Sequence, residues 1–230
     1  MGSQLAPTKI GKSGFYNRAY QDDNYFLYRR WLYEPYISTL IDFCGLRKGA
    51  SVLDVGCGQG FFSYLFSQHG MAVRGIDISE TGIRKAKSLY GHLGISFELS
   101  DICTAPVSDQ FDCMFVRSCS LYNRDDFAAQ LEPTATILKH LKKCGTLIFA
   151  YNSNFSSKRS ARWRFHTLSE TRKHFNVYGQ PSVFVQNKIS AFLFRKYSLS
   201  RFVTLANIAV STVTRTGGEI VCVLKEPQVP

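Results

Sequence analysis

From residue 52 onward, short runs rich in β-branched and apolar side chains alternate with segments of helical period. Residues 52–55 (VLDV) read as a buried strand. A glycine turn follows, then a helix over 61–69 that Gly70 closes. Residues 71–78 predict a second strand, and Ser79 is placed to cap a helix running to about Tyr90. Further strands are expected at 95–99, 111–116 and 146–151. A helix over 125–143 separates the last two, with Pro133 as a kink. Strand, helix, strand at this spacing predicts βαβ units and a parallel sheet.

Beyond residue 151 the rhythm changes. Residues 168–175 suggest a short helix, 182–186 a strand and 219–224 a final strand, which the Gly217-Gly218 turn precedes. Helical periodicity at Leu199, Phe202, Leu205, Ile208 and Ala209 places an inserted helix at about 188–216, its apolar side expected over a sheet face. Ahead of the core, residues 15–36 hold nine aromatics. Pro35 suits the first position of a helix running toward Leu46 and should end the one before it. The expected organisation is therefore aromatic-rich N-terminal helices over 1–44, acting as a lid or substrate cap, and a core over 45–230.

Length and composition agree with an α/β domain: 230 residues, 45% hydrophobic and 20% charged. The chain has no run of 18 apolar residues to cross a membrane and no secretory pattern at its start. Seven cysteines, an odd number without a CxxC pair or clustered histidines, argue against a disulfide framework and a metal site. Reduced thiols in a cytoplasmic protein are the expectation. The net charge of +11 is uneven: residues 1–115 balance, and the whole excess falls in 116–230. Between Lys158 and Lys173 six basic residues, Arg162 and Arg164 among them, face only Glu170. Such a field suits an anionic partner or a solvated face.

The strongest chemical signal is Gly56-Cys57-Gly58-Gln59-Gly60 between the first strand and its helix. Glycines at alternate positions let the backbone pass close to a ligand, and the helix start offers free N–H groups. A dinucleotide site would want glycine at 61, where this chain has Phe61. Asp77, ending the second strand, can take both ribose hydroxyls of a nucleoside. Asp101 and Ile102, after the third strand, suit an adenine ring. Cys57 and Gln59 themselves are positions that pack or face solvent.

On these residues, over about 45–150, the sequence resembles the class I S-adenosylmethionine-dependent methyltransferases, in their small-molecule branch. The resemblance implies a Rossmann-like, doubly wound seven-stranded sheet in the order 3-2-1-4-5-7-6 with strand 7 antiparallel. It implies S-adenosylmethionine as cofactor, held by Asp54, Gly56, Cys57, Gly58, Gly60, Phe61, Asp77, Ile78, Asp101, Ile102 and Arg117. The acceptor would approach over strands four and five, where Tyr122 and Asn123 lie. Tyr16, Tyr20, Tyr25, Arg162 and Arg164 complete the expected acceptor site. The chain has neither the Asn/Asp-Pro-Pro-aromatic motif of amino-methylating nucleic-acid enzymes nor a proline before Cys119, which a cytosine-C5 nucleophile would need.

Methyl transfer from a sulfonium depends mainly on alignment, with up to about 7–11 kcal/mol available from orientation. A base would help a hydroxyl acceptor, and Tyr122 and His166 are the catalytic candidates, with His174 behind them. The expected reaction is methylation of an O or N atom of a small anionic metabolite of sugar, nucleotide-sugar or natural-product type. RNA is an alternative acceptor, favoured by the basic half. A lipid-directed enzyme is another, with Phe192, Phe194, Arg195, Lys196, Tyr197, Arg201 and Phe202 resting on an anionic membrane. A third alternative is S-adenosylmethionine binding without catalysis.

Overall fold

The strand pattern closes into a single seven-stranded sheet of order β3-β2-β1-β4-β5-β7-β6. In the computed structural model, which describes residues 12–22, 26–104, 109–123, 127–155, 163–214 and 218–229, the strands are β1 (Ser51–Val55), β2 (Ala72–Asp77), β3 (Ser96–Leu99), β4 (Phe111–Arg117), β5 (Leu141–Asn152), β6 (Ser182–Gln186) and β7 (Glu219–Lys225). The first five run parallel, and β7 lies antiparallel between β5 and β6. The expected order and the reversed strand are both present. The helices are α1 (Lys12–Ala19), α2 (Arg30–Cys44), α3 (Phe61–Gln68), α4 (Glu80–Tyr90), α5 (Leu131–Leu138), α6 (Leu168–Phe175), α7 (Lys188–Phe194) and α8 (Arg201–Thr214).

Alternation along the central strands sorts side chains onto two cores. Cys113 and Phe115 of β4, with Ile148 and Ala150 of β5, meet α2, α3 and α4 on one face. Met114, Val116, Leu147, Phe149 and Tyr151 meet α5 and α6 on the other. Strands covered on both faces read as continuous apolar runs, which is why they stood out in the sequence.

Several boundaries differ from expectation for identifiable reasons. Helix α2 begins a turn before Pro35 and runs through it, because Pro35 stands at the sixth position and removes few intrahelical bonds. Pro133 is in the first turn of α5, where no N–H partner is needed, so it opens a helix rather than kinking one. That helix ends at Leu138, and β5 starts at Leu141. The register jumps between the Phe111–Leu141 and Cys113–Thr146 pairs, so residues 142–145 bulge outward. There Lys142 Nζ donates to Asp112 at 2.8 Å, and a side chain at Gly145 would meet the Lys142 carbonyl at 2.9 Å.

The expected single inserted helix is two, α7 and α8, and α8 turns its polar side inward. Thr204, Asn207 and Ser211 are buried, whereas Phe202, Leu205 and Val213 are 78%, 66% and 82% exposed. The Asn207 amide explains part of this, donating to the Val185 carbonyl at 2.9 Å and to Ser190 Oγ at 3.0 Å. Asn207→Ala should therefore destabilise the protein by about 1–3 kcal/mol, since it strands a buried carbonyl. Urea unfolding measures the loss; an unchanged midpoint would show that α8 is not anchored there.

Candidate functional site

The carboxyl ends of β1, β2 and β4 open onto a cleft lined by the loops that follow them. Its floor is the glycine loop. The Gly56 and Cys57 N–H groups both donate to the Ile76 carbonyl, at 2.8 and 3.0 Å, tying the loop to β2. Gly58 and Gly60 have φ of +55° and +82°, which side-chain-bearing residues adopt at a cost. Space is short as well: a Cβ at Gly58 would lie 2.8 Å from the Tyr20 hydroxyl, and one at Gly60 2.8 Å from the Phe97 ring. Gly60 caps α3 beneath the loop, and Phe61 opens that helix against the cleft.

Two carboxyls support this floor. Asp77 Oδ2 accepts the Gly58 N–H and Oδ1 the Ser79 N–H, both at 2.8 Å. Burial raises its pKa, and the backbone donors partly offset that. Each oxygen keeps a lone pair for a further donor. Asp54, deeper, accepts from Ser63 Oγ at 2.6 Å, and burial pushes its pKa up to about 7. A cation bound near it would favour its ionised form. Asp101 is exposed at the rim, accepting the Cys103 N–H at 3.0 Å, while Ile102 is buried against the cleft. Ile78 and Ile102 form an apolar slot beside Asp77 and Asp101.

The roof comes from the N-terminal segment. Tyr16 of α1 and Tyr20 just after it stack at 5.7 Å, and Tyr20 meets Phe26 at 6.1 Å. Trp163 approaches both Tyr16 and Phe26 at 6.5 Å. Polar contacts moor α1 to the far side of the loop. Asn17 Oδ1 accepts from Ser79 Oγ at 2.7 Å and the Thr81 N–H at 3.2 Å, and Ser13 Oγ donates to the Ile78 carbonyl at 2.9 Å. Gln59 Nε2 donates to the Asp22 and Tyr20 carbonyls at 2.8 and 3.3 Å. Gln59 thus fastens the roof to the floor, a role beyond packing or facing solvent.

Arg117 closes the inner wall at the end of β4. It ion-pairs with Glu219 of β7, donates to the Tyr28 hydroxyl at 2.8 Å, and lies over the Phe62 ring at 4.6 Å. Burial works against its charge and Glu219 restores it, so the guanidinium stays protonated. Burial also pushes Tyr28 up to about 12.

The cleft gathers Asp54, Gly56, Cys57, Gly58, Phe61, Asp77, Ile78, Asp101, Ile102 and Arg117, with Tyr16 and Tyr20 above them. Tyr25 and Arg162 lie outside the described residues. Tyr122, Asn123, Arg164 and His166 are not on the cleft wall. The Tyr122 hydroxyl is buried against Thr134 Oγ1 at 3.0 Å, which in turn reaches His174 Nε2 at 2.9 Å. His166 is fully buried, its Nε2 at 3.1 Å from the Tyr122 carbonyl and its Nδ1 at 3.1 Å from Glu170. Asn123 Oδ1 accepts the Arg164 N–H at 2.6 Å. These residues brace the loops after β4 and β5 from behind. Sequence reasoning missed Phe26, Tyr28, Ser100, Ser118, Leu121 and Trp163, which do line the cleft. Tyr28 and Phe26 carried a signal in the aromatic density of residues 15–36; Ser118, with φ +48°, carried none. Among the described residues no group of three His, Cys, Asp or Glu is placed to hold a metal ion.

This architecture is that of the class I methyltransferases, and residues 46–193 match the family model described as a methyltransferase domain. The chain belongs to that family, whose cofactor is S-adenosylmethionine. A Geobacillus sp. (strain WCH70) protein assigned as a methyltransferase is 30% identical over 112 residues, which are 47% of this chain and 45% of that one. The ubiquinone biosynthesis O-methyltransferase of Coxiella burnetii is 44% identical over 57 residues, 24% of each chain. The matches thus span less than half the length of these relatives. Phosphoethanolamine N-methyltransferase 2 of Haemonchus contortus shares the fold with a TM-score of 0.68 at 15% identity, over 95% of this chain and 61% of that one.

The braced histidines generate a pH dependence. Burial, reinforced by Arg164 in one case and by the other imidazole in the other, lowers His166 and His174 to about 4. Between pH 4 and 6.5 the unfolded chain binds more protons at these sites, so stability falls as pH falls through that window. Asp54, raised to about 7, and Asp77, also raised by burial, act in the opposite direction. His174→Gln should remove one imidazole contribution, so from pH 7 toward pH 4.5 the melting temperature of the variant should fall less steeply than that of the parent protein. An equally steep curve in that variant would exclude His174 as a contributor.

Proposed function

We propose that this protein transfers the methyl group of S-adenosylmethionine to an O or N atom of a small anionic acceptor of sugar, nucleotide-sugar or natural-product type. The observation that carries the reading is the glycine floor with Asp77 at its edge, roofed by Tyr16, Tyr20 and Phe26. The residues present fit the cofactor: Asp77 has lone pairs for ribose hydroxyls, Ile78 and Ile102 offer a slot for a purine, and Asp54 suits an ammonium. When bound, the cofactor supplies a methyl group on a sulfonium, a good leaving group. The chain's own part is to hold the acceptor in line, exclude water and keep the wall rigid. The segment over residues 12–28 serves as the lid. Tyr122 and His166 act through position, fixing the loops after β4 and β5 that face the acceptor.

Support for an anionic acceptor comes from Trp163, which lines the cleft and follows Arg162 in sequence, whereas Arg164 turns to Glu170 at 3.3 Å. The Haemonchus neighbour is described in complex with a phosphorylated amine, phosphomonomethylethanolamine. Support for an oxygen acceptor comes from the Coxiella relative's name.

Calorimetric titration with S-adenosylmethionine should show binding that Asp77→Ala weakens by about 100-fold, the scale of two lost charge-assisted hydrogen bonds. Binding indifferent to that change would remove Asp77 from the site and this reading with it. With a turned-over acceptor in hand, Arg162→Gln should raise its KM about tenfold and leave cofactor affinity unchanged. Parallel loss of both would place this arginine in the scaffold instead.

A further inference from the structure

Among the described residues, the α7–α8 insert shows an exposed apolar surface. Phe192, Leu193 and Phe194 of α7 are 46%, 65% and 45% exposed, and Phe202, Leu205 and Val213 of α8 more so. Trp31 of α2, 66% exposed, extends the surface by meeting Phe192 edge-on at 6.4 Å. The orientation of α8 has a cost. The buried Thr204 and Ser211 hydroxyls have no hydrogen-bond partner among the described residues, and each such group is worth a measurable loss of stability. A helix that sets hydroxyls inward and Phe202 outward gains only if the outward face is buried elsewhere.

The charge around this surface selects what buries it. Between Glu170 and Glu219 the sequence has no Asp or Glu, but Arg172, Lys173, Lys188, Arg195, Lys196, Arg201 and Arg215. Arg195 and Arg201, both exposed, flank the turn joining α7 to α8. A second copy would bring the same cations face to face. Apolar side chains set in a stretch of chain whose only charged side chains are basic suit the boundary of an anionic bilayer, where Trp also resides. Leu27, 71% exposed, and Trp31 bracket Tyr28 in the chain, and Tyr28 lines the cleft. The surface therefore runs up to the segment that roofs the site.

We propose that α7, α8 and Trp31 dock this protein peripherally on anionic phospholipid membranes. No helix among the described residues is long and apolar enough to cross a bilayer, so the contact is with its surface. Flotation of the full chain with phosphatidylcholine vesicles, with and without about one third phosphatidylserine, tests this. Binding should favour the anionic vesicles by at least about tenfold and weaken with salt. The variant F202S/L205S/V213S should lose binding to both vesicles, and K196Q/R201Q should lose the anionic preference. Circular dichroism and S-adenosylmethionine titration control for folding. Absence of flotation at low salt overturns the proposal, as does binding that the apolar variant leaves intact. Sedimentation showing a dimer that the apolar variant dissociates, without vesicle binding, would assign the face to a second copy and overturn it too.

Discussion

A guanidinium sealed inside the protein at the end of β4 sets the geometry of everything above the sheet. Arg117 touches the first residue of β7 through Glu219, the N-terminal segment through Tyr28, α2 through the Tyr33 ring and α3 through the Phe62 ring. Both partners of the pair are nearly covered, at 9% and 13% exposure. Removing one charge from such a pair costs about 3–5 kcal/mol, because the other is left buried and alone. Planar aromatic faces cover the guanidinium and the Tyr28 hydroxyl takes one of its N–H groups, while Nε has no hydrogen-bond partner among the described residues. The reversed strand, the lid and the cofactor loop are therefore held to one reference point.

The floor of the cleft is held differently from its roof. Asp77 binds two backbone N–H groups in a buried setting, and the glycine loop donates back to β2, so the floor is preformed. The roof is moored mostly by partly exposed contacts to carbonyls, through Gln59, Ser13 and Lys85, which exchange readily with water. Tyr20 sits where a Gly58 side chain would be, so roof and floor meet without space between them at that point. A rigid floor under a roof held by replaceable bonds suits a site that must admit and release its cofactor.

What could be read from the sequence follows from which signals are local. Strand alternation and burial made β1 to β5 visible. The three glycines and Asp77 were visible because turn geometry and strand ends fix their spacing. Tyr122 and His166 showed their chemistry but not their burial: residue type says what a side chain can do, and tertiary packing says whether it reaches the ligand. Trp163 comes to the cleft from a segment remote in sequence, so no local pattern announced it, while Phe26 and Tyr28 were legible only as members of an aromatic run. Gln59 was legible only as a loop residue, since its partners, the Tyr20 and Asp22 carbonyls, lie about forty positions away.

Helix α8 marks the sharpest limit of pattern reading. Its 3.6-residue periodicity is real, and Leu199 and Val203 do join the buried side. Periodicity identifies two faces of a helix, however, and the assumption that the more apolar one turns inward is a statement about a protein alone in water. Here Asn207 and its bonds to Val185 and Ser190 fix the opposite rotation. A polar anchor inside and a row of Phe, Leu and Val outside are the arrangement on which the proposed membrane contact rests. The expectation that α8 would lay its apolar stripe over the sheet failed because buried polar bonds, rather than the apolar stripe, set the rotation of the helix.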